Sequence, residues 1–384
     1  MSFQNMGLNV RRLIEHTGSA EGAGEAIRDI LYEDKSPEAK RVMTEFSLRE
    51  CAEQLRNEGF ENIPLRAGHL AEAVDTTAFS VITSELISKK VMDTYNDTPK
   101  ILDLLTTPFD SNLLVDRIPG TYLTGSLDEV AEGMPYNQDA DIKDKYVQID
   151  GAKRGKILNI TEEAVLFDQT GTIMLRAGGL GRLGAIDRDR RGLYTIMDIS
   201  VGGTNYYCWY PANSRTAIWA NAGGAGHAHE YDNLIVDVLA DYTDIDAANL
   251  ILGTMKDDNG DNISVPATIL LVPRALEVTA KRLILNSSMP GGANSNEINP
   301  FYNSVQVVPS PIIDGCGDAN ATTNWWWGDF KSQFVEKRVY PMQVLRDSSL
   351  MFDQDIVARF KVREYSQVGA VDYRYVVKST GAGA

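Results

Sequence analysis

The hydrophobic period changes several times along this chain of 384 residues, and each change marks a candidate element. Between Asp75 and Ile118, Phe79, Ile82, Leu86, Ile87 and Val91 recur at helical spacing. They predict a short helix before Asn96, followed by a strand, LLVDRIPG, that stops at Pro119-Gly120. Residues 120–152 are polar, with scattered glycines and strand-like ends, so they predict a long two-stranded flap. Structureless loops of that length usually serve a function. Asn159–Met197 then reads as one helix: Leu166, Ile173, Leu180, Leu183, Ile186, Leu193, Ile196 and Met197 stay close to one face, and Asn159 with Glu162 resembles a capping box. A helix of about 35 residues would be ~50 Å long, more than a compact domain needs.

Residues 200–334 read as a separate α/β unit. A Tyr/Trp-rich stretch precedes helical patterns over Asn233–Ala240 and Ala247–Met255, and a turn at Asp258-Asn259-Gly260 follows. SVPATILLVP is a buried strand, PRALEVTAKRLI a helix opened by Pro273, and VQVVPSPII another strand. In the last 50 residues Ile356, Ala358, Phe360 and Val362 alternate with Val357, Arg359, Lys361 and Arg363. Val371, Tyr373, Tyr375 and Val377 alternate in the same way with Asp372, Arg374, Val376 and Lys378. Both predict half-buried antiparallel strands. The first 75 residues hold short helical patterns, one capped at Ser36-Pro37-Glu38, but little apolar mass, which predicts an arm that packs on something else.

With 43% hydrophobic and 23% charged residues the composition is that of a globular chain of two or three domains. Its 37 basic and 53 acidic residues give a net charge of −16, which argues against a protein whose main task is to coat nucleic acid. Cys51, Cys208 and Cys316 lie far apart, so neither a disulfide framework nor a zinc pattern follows, and a reducing compartment is expected. No stretch reads as a signal peptide or a membrane span.

Four motifs carry candidate chemistry. Gly179-Leu180-Gly181-Arg182-Leu183-Gly184 matches the dinucleotide fingerprint letter for letter, but it falls inside a helical pattern where a strand and a tight turn are required. The alternative is structural: Gly178, Gly179, Gly181 and Gly184 each cost a helix ~1 kcal/mol relative to alanine and together mark a point where it bends. His227 and His229 with Glu230 could offer ligands to a metal, although AGGAGHAHE reads more readily as a solvated or interfacial loop. Asp257–Asp261 lacks the glycine and the distal acid of a calcium loop and fits a hairpin turn on Asn259-Gly260. Trp325-Trp326-Trp327 fits a strand with Trp325 and Trp327 on one face, serving core or subunit contact rather than base stacking. No G-x-S-x-G, P-loop or H-E-x-x-H is present, so no enzyme is expected, and neither is a cofactor.

The order of elements resembles the major capsid proteins of tailed bacteriophages, with the Hong Kong ninety-seven-type fold. ITEEAVLFDQTGTIMLRAGGLGRLGAIDRDRRGLYTIM is similar to the family's long spine helix, ATILLVPRALEVTAKRLI to the strand and helix of its axial domain, and DIVARFKVREYSQVGAVDYRYVVKSTG to its closing strands. The resemblance implies an α+β fold. Its parts would be an N-terminal arm (1–75), the start of a peripheral domain (76–118), an extended loop (119–156), the spine helix (157–199), an axial domain (200–334) and the C-terminal strands of the peripheral domain (335–384). Gly178, Gly179, Gly181 and Gly184 would be a hinge in the spine helix. Lys143, Lys145, Lys153, Arg154 and Lys156 would belong to the inter-subunit loop and its flanks, with no covalent cross-link expected. The implied function is assembly of pentamers and hexamers into an icosahedral shell around double-stranded DNA held weakly and without specificity. Implied partners are further copies of the chain, a separate scaffolding protein and a portal, with room for a decoration protein and no membrane. Such a protein is assembled in the host bacterial cytoplasm and resides in the virion. Two rivals remain: an encapsulin-like compartment shell, and an enzyme using the His227/His229 loop or the glycine run.

Overall fold

The computed structural model describes residues 48, 77–113, 115–119, 129–134, 146–167, 169–207, 217–220, 231–257, 260–288, 298–318, 320–347 and 355–381. The arm (apart from Leu48), Lys143, Lys145, His227, His229, Cys51, Cys208 and the tip of the 257–261 turn (Asp258 and Asn259) lie outside these residues. The first elements are helices α1 (Thr77–Asp97) and α2 (Leu102–Leu105), then strands β1 (Thr107–Asp110), β2 (Val115–Pro119), β3 (Tyr146–Asp150) and β4 (Ala152–Thr161), then helices α3 (Glu162–Leu166) and α4 (Thr170–Met197). There follow β5 (Ser200–Val201), β6 (Thr204–Asn205), β7 (Leu234–Ile235), α5 (Tyr242–Thr254), β8 (Ile269–Pro273), a 3-10 turn and α6 (Glu277–Leu285). The chain continues through β9 (Gln306–Ser310), α7 (Pro311–Asp314), β10 (Trp325–Gly328), α8 (Phe330–Gln333), β11 (Phe334–Asp347), β12 (Ile356–Ala370) and β13 (Val376–Ser379). This is the expected α+β class.

Two compact units share these elements: residues 1–99, 153–186 and 341–364 form one, and residues 100–152, 187–340 and 365–384 the other. The core of the first unit gathers Leu86, Ile87 and Val91 of α1, Ile160 of β4, Ile173 of α4 and Phe360 of β12. Leu48 joins it, its backbone N–H donating to Thr170 Oγ1 at 2.9 Å.

The spine helix is shorter than its sequence pattern predicts. Asn159 caps nothing, because 152–161 is strand. There Leu158 and Ile160 are buried while Ile157 and Asn159 are exposed, and this period of two decides the element. Thr161, with ψ 162°, starts α3, and α4 begins only at Thr170. Leu166 therefore belongs to α3, and its seven-residue spacing to Ile173 spans a break.

In the second unit a five-stranded sheet runs in the order β7-β13-β10-β8-β9, with β10 antiparallel to both neighbours and the outer pairs parallel. The three tryptophans sit in β10 as expected. Trp325 and Trp327 join Leu270, Val272 and Val377 under α5 and α6, and Trp326 joins Ile269, Leu271 and Val376 on the opposite face. All three are almost wholly buried.

Two segments differ from expectation. Residues 233–240 are not helical. Leu234–Ile235 form the edge strand β7, and Asn233 ties Ala220 N–H, the Ile218 carbonyl and the Tyr373 carbonyl together through its side chain. The helix starts after Asp241, which forms a capping box with Asp244. Likewise 371–375 is not strand, and Asp372 and Arg374, expected on a wet face, are buried as an ion pair at 3.1 Å. The last strand, β13, pairs with β10 and β7 rather than with β12.

Candidate functional site

The glycine run lies in the middle of α4, a continuous helix with no strand leading into it, so the context of a dinucleotide fingerprint is missing. Its four members have different surroundings. A Cβ on Gly179 would meet nothing within 4 Å. One on Gly178 would lie 3.2 Å from Thr94 Oγ1, and one on Gly184 would strike the flexible end of Met342. One on Gly181 would overlap the backbone carbonyl oxygen of Val91 and come within 3.1 Å of the Tyr95 nitrogen. At Gly181, then, the absent side chain lets α4 lie against the backbone of α1.

The two ends of the segment expected to be a flap pair with each other. β2 and β3 pair antiparallel, with Val115 opposite Asp150 and Pro119 opposite Tyr146. Lys153, Arg154 and Lys156 sit in β4 and are exposed, so of the five basic residues assigned to the loop region these three form a solvent-facing run.

The sequence reading missed the buried charges. Lys337 of β11, 1% exposed, forms an ion pair with Asp116 of β2 at 2.7 Å and donates to the Ile149 carbonyl of β3 at 3.4 Å. Burial pushes the Asp116 carboxyl up, but hydrogen bonds from Lys337 and Ser111 and the charge of Lys337 leave it below its ordinary value. The ion pair thus ties the β2–β3 ladder to β11. Nearby in the sequence of β11, Glu336 accepts two hydrogen bonds from Arg188 of α4 at 2.7 Å, and Arg188 also reaches Asp103 at 2.6 Å. Arg338 closes the network onto Glu336. Asp189 accepts from the N–H groups of Ile101 and Leu102, at 2.8 and 3.3 Å, and so fastens the start of α2. Burial raises its pKa to about 6, against the pull of those two N–H groups and Arg188. Only the adjacent charges in VEKR hinted at this, and hydropathy alone reads them as exposed.

Among the described residues no group of His, Cys, Asp and Glu could hold a metal ion, and no helix is long and apolar enough to cross a membrane.

No curated protein matches the sequence. Among solved structures the chain is similar to a virus-like particle from Pyrococcus furiosus, at 10% identity over 77% of this chain and 99% of that one, with a TM-score of 0.43. It is also similar to the capsid of the cyanophage P-SCSP1u (11%, 75% and 89%, 0.45) and to Gordonia phage Cozz (11%, 73% and 86%, 0.44). The assignment rests instead on a family model, described as phage capsid protein, that matches residues 145–379. That match runs from β3, through α4 and β11, to the last strand of the five-stranded sheet, well over half of the sequence. The chain belongs to the phage capsid protein family.

Proposed function

We propose that this protein is the major head subunit of a tailed bacteriophage, with the Hong Kong ninety-seven-type fold, assembling as pentamers and hexamers into the icosahedral shell that encloses double-stranded DNA. The observation that carries this reading is the family match over 145–379. Its work is structural, done by contacts between copies, and no catalytic residue is assigned. In this reading its further partners are a separate scaffolding protein and a portal, with room for a decoration protein, and it assembles in the host cytoplasm. The net charge of −16 suits a wall that holds DNA weakly.

Within that function, the flap rooted at β2 and β3 serves as the extended loop lying over a neighbouring copy. Lys143, Lys145, Lys153, Arg154 and Lys156 give it and its flank a basic surface for an acidic neighbour. Gly178, Gly179, Gly181 and Gly184 are proposed as the place where α4 bends between shell states. The open space around Gly179 supports this, because a residue there restrains the helix through its own backbone alone.

Negative-stain electron microscopy of the purified chain across a salt and crowder series, with and without a co-expressed scaffold, tests the function. Closed shells, tubes, or five- and six-membered rings are expected. Monodisperse monomers or dimers under every condition would overturn it.

A further inference from the structure

Two helices cover one face of the five-stranded sheet, α5 over β10 and β13 towards the β7 edge and α6 over β8 and β9 at the other edge. Each buries one stripe in the shared core: Ile245, Ala248 and Leu252 from α5, Ala280, Leu283 and Ile284 from α6. Each also carries a second, exposed stripe. On α5 it is Tyr242, Asp246 and Leu250, four residues apart and therefore stacked along the helix, with Leu250 63% exposed. On α6 it is Val278, Arg282 and Leu285, with Val278 71% and Leu285 54% exposed. One stripe reads apolar, acid, apolar; the other reads apolar, base, apolar.

The surroundings reinforce the signs. Residues 231–255 contain five aspartates and no lysine or arginine. Around α6, Arg274, Lys281 and Arg282 outnumber Glu277. Asp246 and Arg282 take part in no ion pair among the described residues, so both charges remain available. Beside α6 a groove of about 590 Å³ opens along the edge strand β9, lined by Ala267, Lys281, Leu285, Val305 and Val307. Exposed aliphatic side chains stacked on one stripe of each helix beside a groove suit an interaction surface, and the opposite charges of the two stripes suit them to each other.

We propose that the α6 stripe and its β9 groove receive the α5 stripe of a second copy of this chain, with Arg282 facing Asp246 across the contact and Val278 and Leu285 against Tyr242 and Leu250. The two surfaces are different and lie on different elements, so the contact is heterologous and leaves the α5 stripe of one copy and the α6 stripe of the other free for the next. That arrangement generates rings when the rotation closes. The inference rests on the capsid reading for its biological setting, but the contact itself is a claim about two surfaces.

Charge reversal tests it. Asp246→Arg and Arg282→Asp are each expected to raise the protein concentration needed for shells or rings about tenfold, equivalent to roughly 1.4 kcal/mol. The double variant Asp246→Arg/Arg282→Asp, which restores an opposite pair at every contact, is expected to return it to the wild-type value. Both positions are exposed, so circular dichroism and melting of the single variants should match wild type. Assembly of the single variants at the wild-type concentration, or a double variant as impaired as either single one, would overturn the proposal. A second measurement separates it from the capsid reading: Asp246→Cys copies are mixed with Arg282→Cys copies and oxidised. Mixed dimers without any shells would retain the contact and remove the capsid reading, and shells without mixed dimers would do the reverse.

Discussion

Alanine at Gly181 and alanine at Gly179 should move stability in opposite directions, although the two positions are one residue apart from being neighbours in the same helix. A helix interior favours alanine over glycine by ~1 kcal/mol at either place. At Gly179 nothing opposes that gain, since a Cβ meets no atom within 4 Å. At Gly181 the new carbon would run into the Val91 carbonyl oxygen and crowd the Tyr95 nitrogen at 3.1 Å, and both are backbone atoms of α1. A side chain could rotate away, whereas a helix backbone moves only by displacing the core it buries, here Leu86, Ile87 and Val91. Overpacking of this kind costs about 1–3 kcal/mol and more when the obstacle is rigid. We expect Gly181→Ala to lose roughly 1–2 kcal/mol net and Gly179→Ala to gain up to about 1 kcal/mol.

Thermal unfolding of the unassembled chain followed by circular dichroism reads this directly. At about 2–4 °C per kcal/mol for units of this size, the two variants should straddle wild type by several degrees. Gly181→Ala melting at or above wild type would refute the argument that glycine is there for close approach. The pair also isolates the hinge. Because Gly179→Ala leaves packing intact, a failure of that variant to expand its shells, with an unchanged or raised melting temperature, belongs to bending alone. Normal expansion of Gly179→Ala heads would remove that residue from the hinge.

Removing the ammonium in Lys337→Met strands Asp116 beside a buried strand, and the melt should drop by an amount equivalent to roughly 3 kcal/mol. Adding Asp116→Leu should recover most of it, and a single variant as stable as wild type would show that the pair does not hold the flap root. Asp189 has a folded pKa of about 6 against 3.8 for an ordinary aspartate, so the folded state binds its proton more tightly. Its ionisation then costs stability as pH rises from about 4 to 6, by roughly 3 kcal/mol at pH 7. Measured against wild type, Asp189→Asn should therefore gain in relative stability between pH 4 and pH 7, and a flat difference across that range would refute the assignment. Salt screens the repulsion between copies of charge −16 over about 8 Å at 0.15 M but acts less on partly buried pairs, so moderate salt should lower the assembly threshold. A threshold that rises steadily from the lowest salt would contradict this.

Much of this fold was legible because burial on two faces and on one face leave different patterns. β8 reads as a continuous apolar run, ILLVP, and all five residues are buried. The first half of β12 alternates and is found as strand. The spine helix was overextended for the same reason that it was found: Leu166 and Ile173 are seven apart, which a helix places on one face, and a strand, a short helix and a break place in one core by another route. The helical reading of 233–240 failed because nothing local distinguishes a two-residue edge strand. Asp241 with Asp244 was the stronger start signal, three residues apart at the true boundary.

The charged interior was illegible for a deeper reason. Hydropathy assigns Glu336 and Lys337 to water one residue at a time, whereas their burial depends on partners distant in sequence. Glu336 meets Arg188, 148 residues away, and Lys337 meets Asp116 across more than two hundred. A lone charge in those places would be excluded by desolvation, and a matched pair is tolerated only where the fold brings both ends together. Such pairs contribute little net stability against an apolar replacement, but they penalise every arrangement in which one partner arrives without the other. In this chain they sit where the flap root, α2 and α4 meet β11, and all four of those elements are brought together by residues that a sequence reading places on the surface. The assembly surfaces proposed on α5 and α6 follow the same logic one level up: Asp246 and Arg282 form no ion pair among the described residues, and in the proposed contact each would meet the other on the next copy.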